Sequence, residues 1–390
     1  MNLTKNIFLE NFKIKKKINK KTRLLLSQIL KKNNEIIRSL GSSYRYSFNE
    51  RNYLRLKKFD FVNLIGIGGS ILGAKAIYAF LSNKIKKKFF FFDKFVDKKE
   101  INKKKKLNLI ISKSGNTLET IVNSNIIINK KDHNIFISEN KNSYLTNMAN
   151  KLKAEIISHN NFIGGRYSVL SEVGMLPAHL MGLNINKFKR LNYLIKNKNF
   201  KNSLITGVSN ILAFANKKKN NSIILNYDSN STDLLKWYQQ LVAESLGKKN
   251  KGILPLISNM PQDNHSLMQL YLDGKRNNYF TFFLVDESSS NKINDKYLLN
   301  DFLFLKRKKS FNILKAQFQA TQNIFKKRNI PFRSFIIKKR DETVLGELFV
   351  FFILETIMLG RALKVNPFDQ PHVELIKTET LKILKSNSQK

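Results

Sequence analysis

Three hydroxyl side chains and a lysine lie close together in the segment SKSGNTLET (112–120), between an apolar run and a helical pattern. Ser112, Ser114 and Thr117 supply the hydroxyls, and Lys113 adds a positive charge beside them. Hydroxyls and the free backbone N–H groups at a helix start can together surround a phosphomonoester, whose oxygens all accept hydrogen bonds. The segment therefore predicts a phosphate-binding loop. The alternative is an ordinary helix start that Thr117 caps.

A glycine-rich segment, GIGGSILG (66–73), also lies between a predicted strand and a predicted helix. Glycines in such a turn let the backbone approach an anion closely. The pattern matches neither a GxGxxG fingerprint nor a Walker A loop. Asp93 lies near the place of a dinucleotide fold's acidic residue, so this segment alone leaves a cofactor site or a ligand-free turn open. Because two such loops on neighbouring strands form the ligand crevice of open α/β sheets, a phosphorylated small molecule is favoured.

A candidate general base is Glu244, near the end of the predicted helix in WYQQLVAESLGK (237–248). Its neighbours Leu241 and Leu246 are apolar. A partly buried carboxylate near a phosphate site is a candidate general base, because desolvation increases its basicity. Taken alone, the spacing also fits a surface glutamate that pairs with Lys248 four residues later.

Four further residues are candidates for binding or catalysis. His265 stands at the start of a predicted helix, and Arg166 follows two glycines. An arginine on a glycine turn can reach a ligand oxyanion and stabilise its charge. The alternatives are a structural histidine and an arginine that only anchors its loop. Gln370 and Lys377, before and within the last predicted helix (371–386), carry little information singly.

The chain of 390 residues carries 70 Lys and Arg against 28 Asp and Glu, a formal net charge of +42. Its basic runs are spread over the whole chain between apolar segments, in a sequence also rich in Asn, Ile and Phe. This distribution indicates compositional drift and solvated faces rather than a dedicated nucleic-acid surface, although adhesion to polyanions at low salt is expected.

Several classes of site and location are disfavoured. Cys is absent and the five His show no metal-ligand spacing, so neither disulfides nor a metal site is predicted. The most apolar segment, LFVFFILETIML (348–359), is 12 residues long and contains Glu355, which predicts a buried helix rather than a membrane span. Since its first residues lack the order of a secretory signal, the protein is expected to be cytoplasmic, with no membrane partner.

Short continuous apolar runs alternate with helical patterns at the spacing of βα units. Continuous runs indicate strands buried on both faces, as in parallel sheets covered by helices. Strands are predicted at 61–67, 89–93, 107–114, 134–138, 154–158, 222–228, 253–258, 279–285 and 332–339. Helices are predicted at 71–81, 117–128, 143–152, 231–246, 264–273, 311–327, 342–363 and 371–386. The predicted fold class is therefore α/β.

Six segments together resemble the glucose-6-phosphate isomerase family in its shorter bacterial form. They occur in the order of that family's motifs: GIGGS (66–70), SKSGNTLET (112–120), GGRYSVLSEVGMLP (164–177), WYQQLVAESLGK (237–248), PQDNHSLMQLYLDG (261–274) and NPFDQPHVELIK (366–377). They span nearly the whole chain, and GGRYSVLS and QQLVAESLGK are highly specific. The resemblance implies two doubly wound SIS-type parallel-sheet domains with flanking helices and a C-terminal helical arm, in a homodimer with active sites at the subunit interface.

The domain organisation expected on this basis has four parts. N-terminal helices occupy residues 1–50, and a first SIS-type domain with the phosphate-binding loops occupies 51–185. A second SIS-type domain (186–360) carries Glu244 and His265, and the C-terminal arm (361–390) carries Gln370 and Lys377.

The resemblance implies interconversion of D-glucose 6-phosphate and D-fructose 6-phosphate, in glycolysis and gluconeogenesis, without a metal or organic cofactor. Glu244 matches the base that moves a proton between C1 and C2 through a cis-enediol(ate), and Arg166 matches the residue that stabilises the intermediate's charge. His265, which in the family comes from the partner subunit, and Lys377 match the pair that opens the sugar ring. The sugar phosphate would bind among Gly69, Ser70, Ser112, Lys113, Ser114 and Thr117, with Gln370 at its edge.

Two positions depart from the family pattern: Ile71 replaces an acidic residue common after GIGGS, and His372 stands where Gly or Ala is usual. Two other functions stay as alternatives. A SIS-domain sensor that binds sugar phosphates without catalysis would need the phosphate loops but not Glu244, His265 and Lys377 together. A dual phosphoglucose/phosphomannose isomerase resembles a more distant, shorter branch.

Overall fold

The structure is a computed structural model that describes residues 2–12, 20–96, 106–287 and 290–387. Its strands are β1 (Ile7–Glu10), β2 (Phe61–Ile65), β3 (Lys88–Phe92), β4 (Leu107–Ile111), β5 (His133–Ser138), β6 (Glu155–Ser158), β7 (Asn221–Asn226), β8 (Leu254–Asn259), β9 (Asn278–Val285) and β10 (Phe332–Ile337). Its helices are α1 (Lys20–Lys32), α2 (Glu35–Ser39), α3 (Leu72–Phe80), α4 (Leu118–Ile127), α5 (Tyr144–Leu152), α6 (Glu172–Leu180), α7 (Leu191–Leu194), α8 (Lys198–Ala215), α9 (Thr232–Leu246), α10 (Met268–Asp273), α11 (Ser310–Lys327), α12 (Glu342–Ala362) and α13 (Val373–Asn387).

The strands form two five-stranded sheets. The first has the order β3-β2-β4-β5-β6, with all neighbours parallel. The second has the order β1-β10-β9-β7-β8 and is parallel except at β1. The inner strand β4 is buried at every position, which is the reason that its sequence is a continuous apolar run. The predicted fold class, α/β with two parallel-sheet domains, flanking helices and a C-terminal helical arm, is confirmed.

The expectation of helices alone over residues 1–50 is corrected by β1. This strand pairs antiparallel with β10 at the edge of the second sheet, with Ile7 opposite Ile337. Ile7 and Leu9 are buried, whereas Phe8 and Glu10 are half-buried. Four alternating residues are too short a pattern to stand out, and the pairing partner lies at the other end of the sequence. The rest of the domain division stays a prediction.

The predicted helices are present with ends shifted by one or two residues, apart from α10. It begins at Met268 instead of residue 264, because hydrogen bonds to the Asp263 carboxylate keep the residues before Met268 in a separate turn. This carboxylate accepts hydrogen bonds from Ser258 Oγ (2.8 Å) and from the backbone N of Asn259 (2.7 Å). The helix α8 has no counterpart among the predicted helices.

The apolar segment 348–359 lies within α12, as predicted. α12 is long and apolar enough to cross a membrane by length and composition, but 94% of its most apolar 18-residue window is buried inside the fold. Glu355 at its centre is fully buried and forms an ion pair with Arg333 of β10. A charged residue inside this apolar helix is thus explained by a partner on the neighbouring sheet.

The C-terminal helix α13 projects from the rest of the chain. Every residue from 371 to 386 is exposed, and Leu375 and Ile376 keep 65% and 74% of their surface accessible. Further apolar side chains on the same helix are exposed, among them Leu381, Ile383 and Leu384. A helix with this much uncovered apolar surface marks an interaction surface.

Candidate active site

The two predicted phosphate loops meet at one place because of the strand order in the first sheet. Counted from β2, the spatial order is 2-1-3-4-5, and in such a sheet the connections after the first and third strands diverge. They leave a crevice at the carboxyl ends of these strands, which are β2 and β4 here. Residues 66–70 follow β2, and residues 112–117 follow β4. Both loops therefore border the crevice.

The loop after β4 holds its hydroxyls together. Ser112 Oγ lies 2.9 Å and Ser114 Oγ 3.5 Å from Thr117 Oγ1. Thr117 occupies the N-cap position of α4, but its side chain makes no capping hydrogen bond. Gly115 turns the loop in a left-handed conformation, with φ of 68°. The hydroxyls thus form a polar cluster at a helix start, and the alternative of a side-chain cap by Thr117 is not observed.

Lys113 directs its ammonium group away from this cluster. Its Nζ donates a hydrogen bond to the carbonyl of Asn161 (2.7 Å) and lies 3.5 Å from a carboxylate oxygen of Glu139. In this conformation Lys113 would act on a phosphate in the loop through the field of its charge rather than through a direct contact.

The glycine loop after β2 packs against the loop that carries Arg166. A Cβ on Gly69 would lie 2.2 Å from the carbonyl carbon of Gly165 and 2.5 Å from the N of Arg166, so only glycine permits this contact. Gly68 is left-handed, with φ of 55°, and Ser70 ends the turn half-buried. The backbone contact fixes Arg166 beside the phosphate loops.

The position of Asp93 in the sequence left a dinucleotide site as an alternative. In the structure its carboxylate forms an ion pair with Lys75 of α3, at 2.7 Å. Because this lysine already engages the carboxylate, the acidic side chain that a dinucleotide ribose would need is occupied.

Arg166 is only 1% exposed and is held by neutral acceptors of the chain. A guanidinium has five N–H donors, and four hydrogen bonds account for four of them. Nε donates to Ser245 Oγ (2.8 Å), Nη1 to Gln370 Oε1 (2.5 Å), and Nη2 to the carbonyls of Pro367 (2.7 Å) and Asp369 (3.0 Å). One N–H of Nη1 remains. The charge of this buried cation is therefore available to groups in the crevice.

Glu244 faces that remaining donor. Its Oε1 lies 3.6 Å from Arg166 Nη1, and 17% of its side chain stays exposed. Its Oε2 accepts a hydrogen bond from Gln240 Nε2 at 3.0 Å. Lys248 instead pairs with Asp369 at 2.8 Å, so the alternative of a surface pair between Glu244 and Lys248 is not observed. A carboxylate fixed beside a buried cation and still open to solvent is suited to proton transfer.

Gln370 lies at the root of the C-terminal arm, where the chain leaves the core. Its side-chain oxygen accepts from Arg166, and the adjacent Asp369 binds Lys248. The hydrogen bond and charge of Lys248 lower the pKa of Asp369. These contacts fasten the arm root to the end of α9, one turn from Glu244.

The structure does not bring His265 or Lys377 to this cluster. His265 is exposed in the turn before α10, and Lys377 is exposed on α13, where it pairs with Glu374 at 2.7 Å. No hydrogen bond or ion pair of the described residues joins either of them to Glu244 or Arg166. A single chain therefore presents the predicted site in separate parts.

Comparison with known proteins identifies the family. A family model described as "Phosphoglucose isomerase" matches residues 53–390. The chain belongs to the phosphoglucose isomerase family. It is 31% identical over 366 residues to the glucose-6-phosphate isomerase of Methanocaldococcus jannaschii, covering 87% of this chain and 88% of that protein. It is 33% identical over 363 residues to the enzyme of the same name from Mycoplasmopsis pulmonis, covering 85% and 84%. Family membership confirms the predicted resemblance and the predicted isomerase class.

Solved structures show the same fold. A hypothetical protein from Thermus thermophilus superposes with a TM-score of 0.81 at 22% identity, covering 93% of this chain and 94% of that chain. A glucose-6-phosphate isomerase from Chlamydia trachomatis superposes with a TM-score of 0.67 at 20% identity, covering 95% of this chain and 74% of that chain. The phosphoglucose isomerase architecture thus extends over nearly the whole chain.

The four parallel strands of the second sheet, β8-β7-β9-β10, repeat the order of β3-β2-β4-β5 in the first. Among the described residues, however, ion pairs fill the position that corresponds to the crevice. At the carboxyl ends of β7 and β9, Arg340 pairs with Asp228 and, at 2.9 Å, with Glu287. Lys315 pairs with Asp286 at 2.9 Å. Charged side chains thus pair with one another at that position, whereas the hydroxyls of Ser112 and Thr117 lie at the corresponding position of the first sheet.

Three residues that shape the site were not predicted from the sequence. Ser245 and Tyr167 share a hydrogen bond of 2.8 Å beside Arg166, and Gln240 binds Glu244. For Ser245 and Tyr167, the clue in the sequence was the preceding residue: Ser245 follows the predicted base, and Tyr167 follows the predicted arginine. Gln240 lies one helical turn before Glu244, a spacing at which side chains meet.

Substitution of Gly69 by alanine is expected to lower kcat/KM by about 100-fold or more, because the new Cβ would push the glycine loop away from the Arg166 loop. Gly164→Ala is the matched control, since its Cβ would meet only Tyr167 Cδ2 at 3.9 Å, an ordinary contact. Steady-state kinetics of both variants test the prediction. Equal activity of the two variants would contradict it.

Proposed function

We propose that this chain interconverts D-glucose 6-phosphate and D-fructose 6-phosphate. The observation that carries the proposal is the Glu244 carboxylate 3.6 Å from the Arg166 guanidinium, beside the crevice that both phosphate-loop candidates border. A carboxylate next to a fixed cation suits proton abstraction next to a carbonyl. The two relatives described above are named for the same reaction.

The phosphate of the sugar binds among the hydroxyls of Ser112, Ser114 and Thr117 and the glycine loop at 69–70. Gln370 lies at its edge, and Lys113 contributes its charge. Anchoring the phosphate at one end places the reacting carbons of the open-chain sugar at a fixed distance from the loops. Such positioning supplies much of the rate enhancement of an enzyme.

Glu244 removes the proton from C2 of the aldose and returns it to C1, which passes through a cis-enediol(ate). Arg166 stabilises the negative charge that develops on the oxygens, using the one N–H that the chain leaves free. Because one carboxylate both removes and returns the proton, the step requires neither a metal ion nor an organic cofactor. The reaction belongs to glycolysis and gluconeogenesis in the cytoplasm.

Ring opening needs an acid and a base separate from Glu244, and we assign these roles to His265 and Lys377. Both are exposed in the single chain, away from Arg166. We therefore propose a homodimer in which His265 reaches the site across the subunit interface. The exposed apolar side chains of α13 supply surface that a second copy would cover.

Complementation between two inactive variants tests the dimer. Glu244→Gln and His265→Ala are each expected to be inactive as homodimers. After unfolding and refolding together, half of the dimers are mixed, and each mixed dimer contains one site with both wild-type residues. The mixture is then expected to regain about one quarter of wild-type activity. No recovery, with mixed dimers shown by native mass spectrometry, would place His265 and Glu244 in the same chain.

Incubation of the chain with fructose 6-phosphate in D2O, with EDTA present, tests the function itself. NMR is expected to show glucose 6-phosphate with deuterium at C2, because Glu244 exchanges its proton with solvent during some turnovers. Formation of mannose 6-phosphate in the same sample would indicate the dual isomerase. Binding without turnover would refute the proposal and indicate a sugar-phosphate sensor.

A further inference from the structure

Ser245 is fully buried on α9, directly after the proposed base. We propose that Ser245 is a positioning residue for Arg166. In this inference, a chain of hydrogen bonds from Arg166 through Ser245 and Tyr167 to the Pro367 carbonyl fixes the guanidinium where the enediolate charge develops. The inference rests on the proposed function, because it concerns the charge that arises in that reaction.

The direction of each hydrogen bond follows from the donor and acceptor types. Arg166 Nε can only donate, so Ser245 Oγ accepts there (2.8 Å). The Pro367 carbonyl can only accept, so Tyr167 donates its single hydroxyl proton to it (3.0 Å). Ser245 therefore donates its own proton to the Tyr167 oxygen, at 2.8 Å. The reverse assignment would leave the Ser245 proton without an acceptor among the described residues.

This chain restricts how Arg166 can be oriented. A guanidinium is planar and rigid, so fixing Nε and both N–H groups of Nη2 also fixes the direction of Nη1. Nη1 is the atom that lies 3.6 Å from Glu244 Oε1. The free N–H is thereby directed to the side of the site where Glu244 acts, and rotation would break several hydrogen bonds at once.

One helix sets the geometry of both groups. Glu244 and Ser245 are consecutive residues of α9, so their side chains leave the helix about 100° apart. One side chain is the base, and the other is the anchor of the cation. The distance between the base and Arg166 is consequently fixed by a rigid element rather than by two independent loops.

Removal of the Ser245 hydroxyl leaves the buried N–H of Arg166 Nε without its hydrogen-bond acceptor. Ser245→Ala is expected to lower kcat by about 10- to 100-fold and to change KM by less than about 3-fold, because the phosphate loops are untouched. Ser245→Thr keeps the hydroxyl and is expected to recover most of the loss. Ser39→Ala is the control: Ser39 is equally buried, and its Oγ donates to the Ile36 carbonyl at 2.7 Å, outside the site.

Two ligands separate positioning from a merely structural role. D-Arabinonate 5-phosphate carries a planar carboxylate where the enediolate charge develops, whereas D-glucitol 6-phosphate carries no charge at that end. Calorimetric titration gives the Kd of each ligand. For Ser245→Ala, the Kd of the arabinonate is expected to rise above the wild-type value by the same factor by which kcat falls below it. The Kd for the glucitol is expected to equal that of the wild type. Equal changes in both Kd values, or a kcat within about 3-fold of wild type, would overturn the inference.

A second variant covers the case in which Ser245→Thr does not fold. Tyr167→Phe keeps the hydrogen bonds from Arg166 to Ser245 and to the Pro367 carbonyl. It removes only the hydroxyl that accepts from Ser245 and donates to Pro367, so a smaller loss of about 3- to 10-fold is expected, again specific to the arabinonate. A Tyr167→Phe protein with unchanged selectivity would contradict the chain of bonds. Failure of the proposed function is a separate outcome, in which the wild type does not turn over fructose 6-phosphate. The ratio of the Kd values for the arabinonate and the glucitol would still decide the role of Ser245.

Discussion

Glu244→Gln is expected to lower the rate of isomerisation by about 1,000-fold or more while leaving substrate binding nearly unchanged. The amide has the size of the carboxylate and can still accept the hydrogen bond from Gln240, which spans 3.0 Å in the native protein. It cannot accept a proton from carbon at neutral pH. The phosphate loops do not depend on Glu244, so they continue to anchor the sugar.

Two measurements test this prediction. A coupled assay gives kcat, and calorimetry gives the Kd of fructose 6-phosphate for the inactive variant. Asp233→Asn is a matched control on the same helix, because Asp233 is partly exposed and forms a contact of 3.8 Å with Lys236 at the far end of α9. Turnover retained by Glu244→Gln at the level of this control would remove Glu244 from the role of base.

The inner strands of both sheets were predictable because they are buried on both faces. Burial of that kind requires continuous apolar runs, and the runs at 107–114 and 134–138 became β4 and β5 with only small changes at their ends. The edge strand β1 was not predictable in the same way. It is short and half-exposed, and its pairing with β10 depends on a segment far away in the sequence.

The candidate site was partly predictable for a different reason. Loops that follow parallel strands must meet at one edge of the sheet, so the hydroxyls of Ser112 and Thr117 and the turn at Gly69 could be assigned to one crevice. The orientation of a long side chain could not be inferred. Lys113 lies in the predicted loop but turns its ammonium towards Asn161, and Lys248 pairs with Asp369 rather than with Glu244.

The position of Arg166 depends on contacts that no local pattern contains. Its acceptors come from α9 and from the root of the C-terminal arm, including Ser245 and Pro367. These segments are far from Arg166 in the sequence and lie next to it only in the folded protein. A motif therefore identifies the arginine, but the fold decides which of its five donors stays available for chemistry.

The largest stability effect is expected at the buried ion pair between β10 of the second sheet and α12. Arg333 of β10 and Glu355 of α12 are 1% and 0% exposed and bind through two contacts, of 2.5 and 3.0 Å. Arg333 Nε also donates to Thr281 Oγ1, and the Tyr238 hydroxyl donates to Glu355. Burial acts to lower the pKa of Arg333, but the charge and hydrogen bonds of Glu355, together with Tyr238 and Tyr279, outweigh it and raise the pKa overall.

Arg333→Met is expected to cost about 3–5 kcal/mol, because it leaves the buried Glu355 carboxylate with the Tyr238 hydroxyl but without an opposite charge. The double variant Arg333→Met/Glu355→Leu removes both charges and is expected to regain most of that loss, since well-packed apolar side chains can replace a buried pair. Arg38→Met breaks an exposed pair with Glu35 (48% and 25% exposed) and is expected to cost less than about 1 kcal/mol. Urea unfolding at pH 7 and one protein concentration measures all three variants. If the double variant is as unstable as Arg333→Met, the cost arises from lost packing around Arg333 and not from the isolated charge.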